Sequence, residues 1–199
     1  MPFVLASLIH ALTDPSDPPL RPLPSRVAAL LESLDAPPRL AAHLRAVHDV
    51  ACEIVDWLDA QHATVRIDRE AVLFGAASHD IGKILHLEEL SGPGSVHEPD
   101  GYELLRAHGV EERLARFART HASWTASDAN LEDHLVSLAD KIWKAKRVVD
   151  LEQLIVDRLA AASGRPAWQV FMDLDELITR VANDADSRLA FQAGYPIKP

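Results

Sequence analysis

The sequence contains one cysteine, Cys52, and no block rich in lysine or arginine. A single cysteine excludes an internal disulfide and fits a reducing compartment. With a formal net charge of −10, the chain lacks the cationic face that binding to nucleic acid or to an anionic membrane requires. The apolar N-terminus has neither a basic region nor the length to span a bilayer, so we expect no signal peptide and no membrane helix. We therefore expect a cytoplasmic protein whose partners are small molecules.

The alternation of apolar and polar residues that is typical of β-strands is also missing, and there is no internal repeat. Apolar residues instead recur three and four positions apart, as they do on one face of an α-helix. The chain has 199 residues, of which 48% are hydrophobic, and this is enough for one substantial core. We predict an all-α fold with about seven or eight helices.

Proline divides the chain into regions of different character. Residues 13–38 carry seven of the thirteen prolines, so we predict that residues 1–38 form a proline-rich segment with one short helix, Ser25–Leu34. Residues 39–150 contain the strongest helical patterns and are predicted to form the core. Residues 151–199 form further helices, whose apolar side chains pack either on this core or on a partner in a homodimer.

Two histidines lie on the first strong helix, which is predicted over residues 40–59. His43 and His48 flank its apolar stripe on opposite sides, about 140° apart around the helix axis. They are therefore not expected to serve one site together. The next predicted helix covers residues 68–85, with Asp68 as its N-cap.

Near the end of that second helix, His79 and Asp80 are adjacent within the apolar stretch ASHDIGKIL. Burying an imidazole beside a carboxylate costs free energy unless each finds a partner, and a bound cation serves both. Three more polar side chains occupy positions that are expected to face the interior. His97 follows a glycine-rich loop, His121 ends an apolar stripe, and Asp140 lies on a helix that is apolar on two sides.

The order of these residues resembles the HD superfamily of metal-dependent phosphohydrolases. The matching segments are HLRAVHDVA, SHDIGK, HEPDGYELL, ARTHASW and SLADKIWKAKR, which fall within residues 39–150. The resemblance implies an HD-type helical bundle with a metal site. The ligands that it implies are His43, His79, Asp80, His97, His121 and Asp140. We prefer His43 to His48 as the first ligand, because its spacing to Val47 and Ala51 matches the family better. His97 and His121 correspond to the extra ligands of members that hold two metals.

This ligand set points to a reaction and to the residues that carry it. Imidazole and carboxylate ligands without thiolate suit one or two ions of Mn, Fe, Co, Ni or Zn. We expect hydrolysis of a phosphoester or phosphoanhydride by metal-activated water, in a nucleotide or another small phosphorylated molecule. Asp80 is expected to orient the water as well as to bind metal, and Lys83 to contact the phosphate. Lys144 and Arg147 are candidates for substrate binding.

Two other functions remain open from the sequence. A di-iron oxygenase is compatible with the same ligands, and so is a sensor module without catalytic activity. The remaining histidines have no evident partner and are expected at the surface; they are His10, His62, His86, His108 and His134. Trp124 and Tyr102 are expected in the core rather than in the site.

Overall fold

The protein is a bundle of α-helices, seen in a computed structural model that describes residues 2–197. The helices are α1 (Pro2–Thr13), α2 (Ser25–Ser33), α3 (Pro38–Gln61), α4 (Arg69–Ser78), α5 (His97–Ala107), α6 (Glu112–Ala115), α7 (Phe117–Thr120), α8 (Leu131–Ile142), α9 (Val149–Ser163), α10 (Ala167–Ala182) and α11 (Ala185–Ala193). Two 3₁₀ turns, Ile81–Ile84 and Leu87–Leu90, lie between α4 and α5. No strand occurs within residues 2–197, which confirms the predicted all-α class.

The helix count is somewhat above the predicted seven or eight for two local reasons. The region 112–120 forms two separate four-residue helices, α6 and α7. In the C-terminal region, the helix that begins at Ala167 ends at Ala182, and the chain continues in a separate short helix, α11. Within the described part of the chain, no helix is long and apolar enough to cross a membrane.

Helix α3 is the centre of the bundle. Its 24 residues begin at Pro38, which is favoured at a first helical position because its fixed φ suits the helix and its missing N–H has no partner there. Helices α1, α4, α8, α10 and α11 all pack against it, so most of its circumference is buried. Charged and polar side chains on α3 therefore need partners inside the protein.

The proline-rich N-terminal segment is attached to this central helix by Arg45. Its buried guanidinium donates from Nη1 to the carbonyl of Asp14 at 2.8 Å and from Nη2 to that of Leu20 at 2.9 Å. These carbonyls follow α1 and precede α2, where the backbone has no helical partners of its own. The Arg45 side chain thus supplies hydrogen-bond donors to backbone carbonyls of the irregular segment that packs over α3.

The helix predicted over residues 68–85 is shorter in the structure. Asp68 caps it as expected and accepts the N–H of Ala71 at 3.0 Å, but α4 ends at Ser78. The chain then forms the 3₁₀ turn, whose Gly82 lies directly against α5: a Cβ at this position would lie 2.0 Å from the carbonyl oxygen of His97. The His-Asp pair therefore lies in the turn after a helix, not inside it.

The C-terminal helices pack on the core of the same chain. Leu174, Ile178 and Val181 of α10 are buried, whereas Trp168 and Phe171 on its other side are 66% and 45% exposed. The helices α9 to α11 pack mainly on α8 and α3. A dimer contact through the exposed side stays a prediction.

Candidate metal centre

The six predicted ligands lie together although five structural elements supply them. His43 comes from α3, His79 and Asp80 follow α4, and each of the other three is contributed by a different helix or helix end: His97 begins α5, His121 follows α7, and Asp140 lies in α8. All six are buried, with at most 7% of their surface exposed. The structure thus brings every member of the predicted set to one place in the interior.

Asp80 is the centre of this cluster, and its two oxygens face different histidines. Oδ2 is 3.1 Å from Nε2 of His43 and 3.6 Å from Nε2 of His79. Oδ1 is 3.0 Å from Nε2 of His97 and 3.5 Å from Nε2 of His121. In each of these two groups, one ligand atom from every residue lies within 4.8 Å of the others. The carboxylate therefore lies between two potential cation positions.

The protonation of two imidazoles follows from what their other nitrogens contact. Nδ1 of His79 lies 2.9 Å from the carbonyl of Ala76, and Nδ1 of His121 lies 3.1 Å from that of Phe117. A carbonyl only accepts hydrogen bonds, so each Nδ1 carries a hydrogen, and in the neutral imidazole Nε2 presents a lone pair. These lone pairs point toward carboxylate oxygens, which also only accept. Such contacts repel unless a proton or a metal cation lies between them.

Several nitrogens of the cluster are buried without any hydrogen-bond partner. They are both ring nitrogens of His43 and the Nε2 atoms of His79 and His97. A buried polar atom without a partner costs about 1–3 kcal/mol, so several in one place require compensation. Neutral imidazoles and carboxylates with free lone pairs are the ligands that divalent transition metals prefer. The residues present therefore fit a metal.

The comparison with protein families agrees with this geometry. A model of the HD domain matches residues 40–143, which include all six predicted ligands. The chain belongs to the HD domain family. HD domains bind divalent metals, and the family typically consists of metal-dependent hydrolases. No curated protein and no solved structure matches the chain.

Burial and charge divide the histidines of this HD domain into two kinds. Burial lowers the pKa of His43, and it lowers that of His121 to about 4, so both are neutral near pH 7. Burial also disfavours the charged form of His79, but the carboxylates of Asp80 and Asp140 outweigh it and raise its pKa. A metal would bind the neutral form of His79, so we expect metal binding to weaken as the pH falls.

Two lysines reach the carboxylates of the cluster. Nζ of Lys83 lies 2.6 Å from Oδ2 of Asp80, and Nζ of Lys141 lies 2.6 Å from Oδ2 of Asp140. The sequence pattern did not single out Lys141; its place directly after Asp140 is the signal that could have identified it. Lys144 is exposed, but partial desolvation lowers its pKa, and it lies close enough to Asp140 for their charges to interact.

Arg147, the other predicted substrate-binding residue, is held by different partners. Its guanidinium pairs with Glu152 at 2.7 Å and with Asp175 at 2.8 Å. Helix α8 ends at Ile142, and Ala145 adopts a left-handed conformation with φ of 57°, which redirects the chain. Arg147 therefore does not continue the helical face that carries Asp140.

The structure also distinguishes the two histidines of α3. His43 lies beside Asp80, whereas Nε2 of His48 is 3.6 Å from Sγ of Cys52. Burial lowers the pKa of His48 to about 4. His48 is thus a neutral core side chain on another face of the helix, as the angle between the two positions predicts.

Two of the histidines expected at the surface are buried, so that prediction is wrong for them. His62 packs on Trp57 with ring centroids 4.8 Å apart, and Nε2 of His134 donates to the carbonyl of Trp124 at 3.0 Å. Leu138 lies four residues after His134 on the inner face of α8, a spacing that could have indicated burial. The remaining three are exposed or half-buried: His10, His86 and His108.

Proposed function

We propose that this HD-domain chain is a metal-dependent phosphohydrolase that cleaves a phosphoester or phosphoanhydride in a nucleotide or another small phosphorylated molecule. The main support is the set of imidazole lone pairs that face both oxygens of Asp80. One or two divalent transition metals held there would act as a Lewis acid and lower the pKa of water toward neutrality. Mn, Fe, Co, Ni and Zn all suit this donor set.

The lysines beside the cluster support an anionic substrate. Lys83 and Lys141 pair with the carboxylates of Asp80 and Asp140, which would also ligate the metal. Metal cations held here would neutralise these carboxylates, and the two ammonium groups would then be free to bind a phosphate. Because the whole chain has a net charge of −10, such a local positive group is needed to attract a negatively charged substrate.

Trp124 supports a nucleotide among the possible phosphorylated substrates. Nζ of Lys141 lies 5.7 Å from the centre of the Trp124 indole, and the same ammonium group pairs with Asp140. An aromatic ring therefore lies close to the candidate metal centre. The indole is partly buried, and the backbone carbonyl of Trp124 accepts a hydrogen bond from His134. Aromatic side chains stack on nucleobases, and we infer that the Trp124 indole would hold the base of a bound nucleotide in this way.

Metal content and substrate turnover test the proposed function together. Protein purified without a metal-affinity tag is assayed for bound metal, loaded with each of the five candidate metals, and incubated with nucleoside phosphates and glycerol phosphate. We expect metal-dependent release of phosphate or of a nucleotide. Oxygen uptake without hydrolysis would indicate a di-iron oxygenase instead, and failure to bind any metal would favour the sensor alternative.

A pair of tryptophan variants tests the nucleotide preference. Trp124→Ala is expected to lower kcat/KM for nucleotides about tenfold, since base stacking contributes roughly 1–3 kcal/mol. Turnover of glycerol phosphate, which has no base, is expected to stay unchanged. Trp168→Ala, at an exposed position on α10, is the matched control. An equal loss on both substrates would show that Trp124 is only a core side chain.

A further inference from the structure

Glu89 is a buried carboxylate next to the cluster, and it accepts three N–H groups from the start of α5. Oε1 accepts the backbone N–H of Val96 at 3.2 Å. Oε2 accepts the backbone N–H of His97 at 3.3 Å and the ring Nδ1–H of the same residue. Only 7% of Glu89 is exposed, so its charge depends on these donors. The contacts join the turn Leu87–Leu90 to a predicted metal ligand.

Glu89 accepts the Nδ1 hydrogen of His97, as backbone carbonyls do for two other histidines of the cluster. His79 and His121 donate from Nδ1 to carbonyls three and four residues earlier in their own helices. His97 is the first residue of α5 and has no helical turn before it. A carboxylate from another segment therefore takes the place of the missing carbonyl, and because it only accepts, it fixes the hydrogen on Nδ1.

Glu89 also determines the direction of the free nitrogen of His97. With Nδ1 bound to Glu89, Nε2 presents its lone pair toward Oδ1 of Asp80 at 3.0 Å and has no hydrogen-bond partner. Carboxylates that accept from the far nitrogen of a metal-bound imidazole hold its orientation and raise its basicity.

We propose that Glu89 is a positioning residue for the group Asp80, His97 and His121. It sets the affinity of this group for a metal by holding the tautomer and orientation of His97. It also links that affinity to the exposed loop 91–96, whose backbone closes over the carboxylate. This inference rests on the proposed metal-dependent function and adds to it a residue that the sequence pattern did not single out.

Gly94 shows how closely the loop covers Glu89. A Cβ at Gly94 would lie 2.3 Å from Cδ and Oε1 of Glu89. The backbone of Gly94 does not require glycine for its φ, so alanine is tolerated there except for this contact. Gly94→Ala would thus push the carboxylate away from His97 without removing a charge or a hydrogen-bonding group.

Metal titration of three variants tests the proposal. The metal-free chain is titrated with Mn²⁺ in a calorimeter and compared with Glu89→Gln, Gly94→Ala and the control Glu88→Gln, whose side chain is 76% exposed in the same turn. A glutamine at position 89 has only one acceptor oxygen for the N–H groups of Val96 and His97 that the two carboxylate oxygens accept. We expect Glu89→Gln and Gly94→Ala to weaken one of two binding steps about 10- to 100-fold and to leave the other unchanged. Equal weakening of both steps, or no change in either, would overturn the proposal.

The tautomer of His97 gives a readout that does not need metal. Imidazole ¹⁵N chemical shifts of the metal-free chain should show the hydrogen on Nδ1, and Glu89→Gln should produce a mixture of tautomers while Glu88→Gln should not. An unchanged tautomer in Glu89→Gln overturns the positioning role even if metal binding is weakened. If the wild-type chain binds none of the five candidate metals, the proposed function fails, and the tautomer still decides whether Glu89 positions His97.

Discussion

At the scale of single residues, Asp80 determines most of the chemistry of the cluster. Burial alone would raise the pKa of its carboxyl, but His79, His43 and His97 together hold that pKa well below its usual range. The group therefore stays ionised in the interior, where an unpaired charge would be costly. Because its two oxygens face different histidines, Asp80 can serve two ligand groups at once.

Asp80→Asn tests this bridging role with almost no change in size. The amide is uncharged and has a single acceptor oxygen, so we expect loss of bound metal and of activity. The helical content measured by circular dichroism should stay the same. Asp128→Asn, at an exposed loop position, is the control. Full metal occupancy in Asp80→Asn would contradict the assignment.

The two histidines of α3 provide a second test at this scale. His43→Gln is expected to lower the metal content of the purified protein, because the lost imidazole lies 3.1 Å from Asp80. His48→Gln should leave the metal content unchanged, since His48 contacts Cys52 instead. Elemental analysis of both variants decides between them, and the reverse outcome would make His48 the first ligand.

At the scale of structural elements, close approach of two backbones brings His97 to the cluster. Gly82 in the 3₁₀ turn and Gly101 in α5 face each other: a Cβ on Gly101 would lie 2.9 Å from the backbone nitrogen of Gly82. With side chains at these positions, α5 would lie farther from the turn that follows Asp80. The glycine in the HDIGK segment is therefore explained by helix packing rather than by a turn with positive φ.

Gly82→Ala should separate these two elements. Its Cβ would overlap the backbone carbonyl of His97, which cannot move as a side chain can. We expect the free energy of unfolding to fall by about 1–3 kcal/mol and one metal-binding step to weaken. Urea denaturation and metal titration measure the two effects, with Gly194→Ala, at an exposed position after α11, as the control. A Gly82→Ala chain with wild-type stability would show that α5 packs less tightly than the structure has it.

At the scale of the whole molecule, the stability depends on buried histidines outside the cluster. Burial lowers the pKa values of His48, His62 and His134, and that of His48 falls to about 4. In the unfolded chain a histidine has a pKa near 6.5. Between these values the unfolded state binds more protons than the native state, so the protein loses stability as the pH falls.

His48→Gln should flatten this pH dependence. For a pKa of about 4 in the native state and 6.5 in the unfolded state, His48 accounts for a loss of about 2 kcal/mol between pH 7 and pH 5. The free energy of unfolding of the variant should therefore decrease by about that much less over this range. Urea denaturation of the metal-free proteins at both pH values measures the difference. Equal slopes for the two proteins would show that His48 is accessible to protons in the native state.

The sequence by itself determined the helical class, the family and the candidate ligands. Helical periodicity is a local property, so it places Leu40, Val47 and Leu135 on buried faces without knowledge of their neighbours. The adjacent pair His79–Asp80 in an apolar stretch needs a compensating charge wherever it is buried. The family match confirms the HD domain, while the metal-binding role of each ligand stays a prediction.

Only the tertiary structure decided which side chains meet. It placed His43 rather than His48 beside Asp80, buried His62 and His134, and turned Arg147 toward Glu152 through the left-handed residue Ala145. It also added contacts between residues whose partners the sequence does not indicate, namely Lys141 and Glu89. The physical reason is that a helical period shows which face is buried but not which distant element covers it. The cluster forms where five elements converge, and their packing depends on contacts that no local pattern contains.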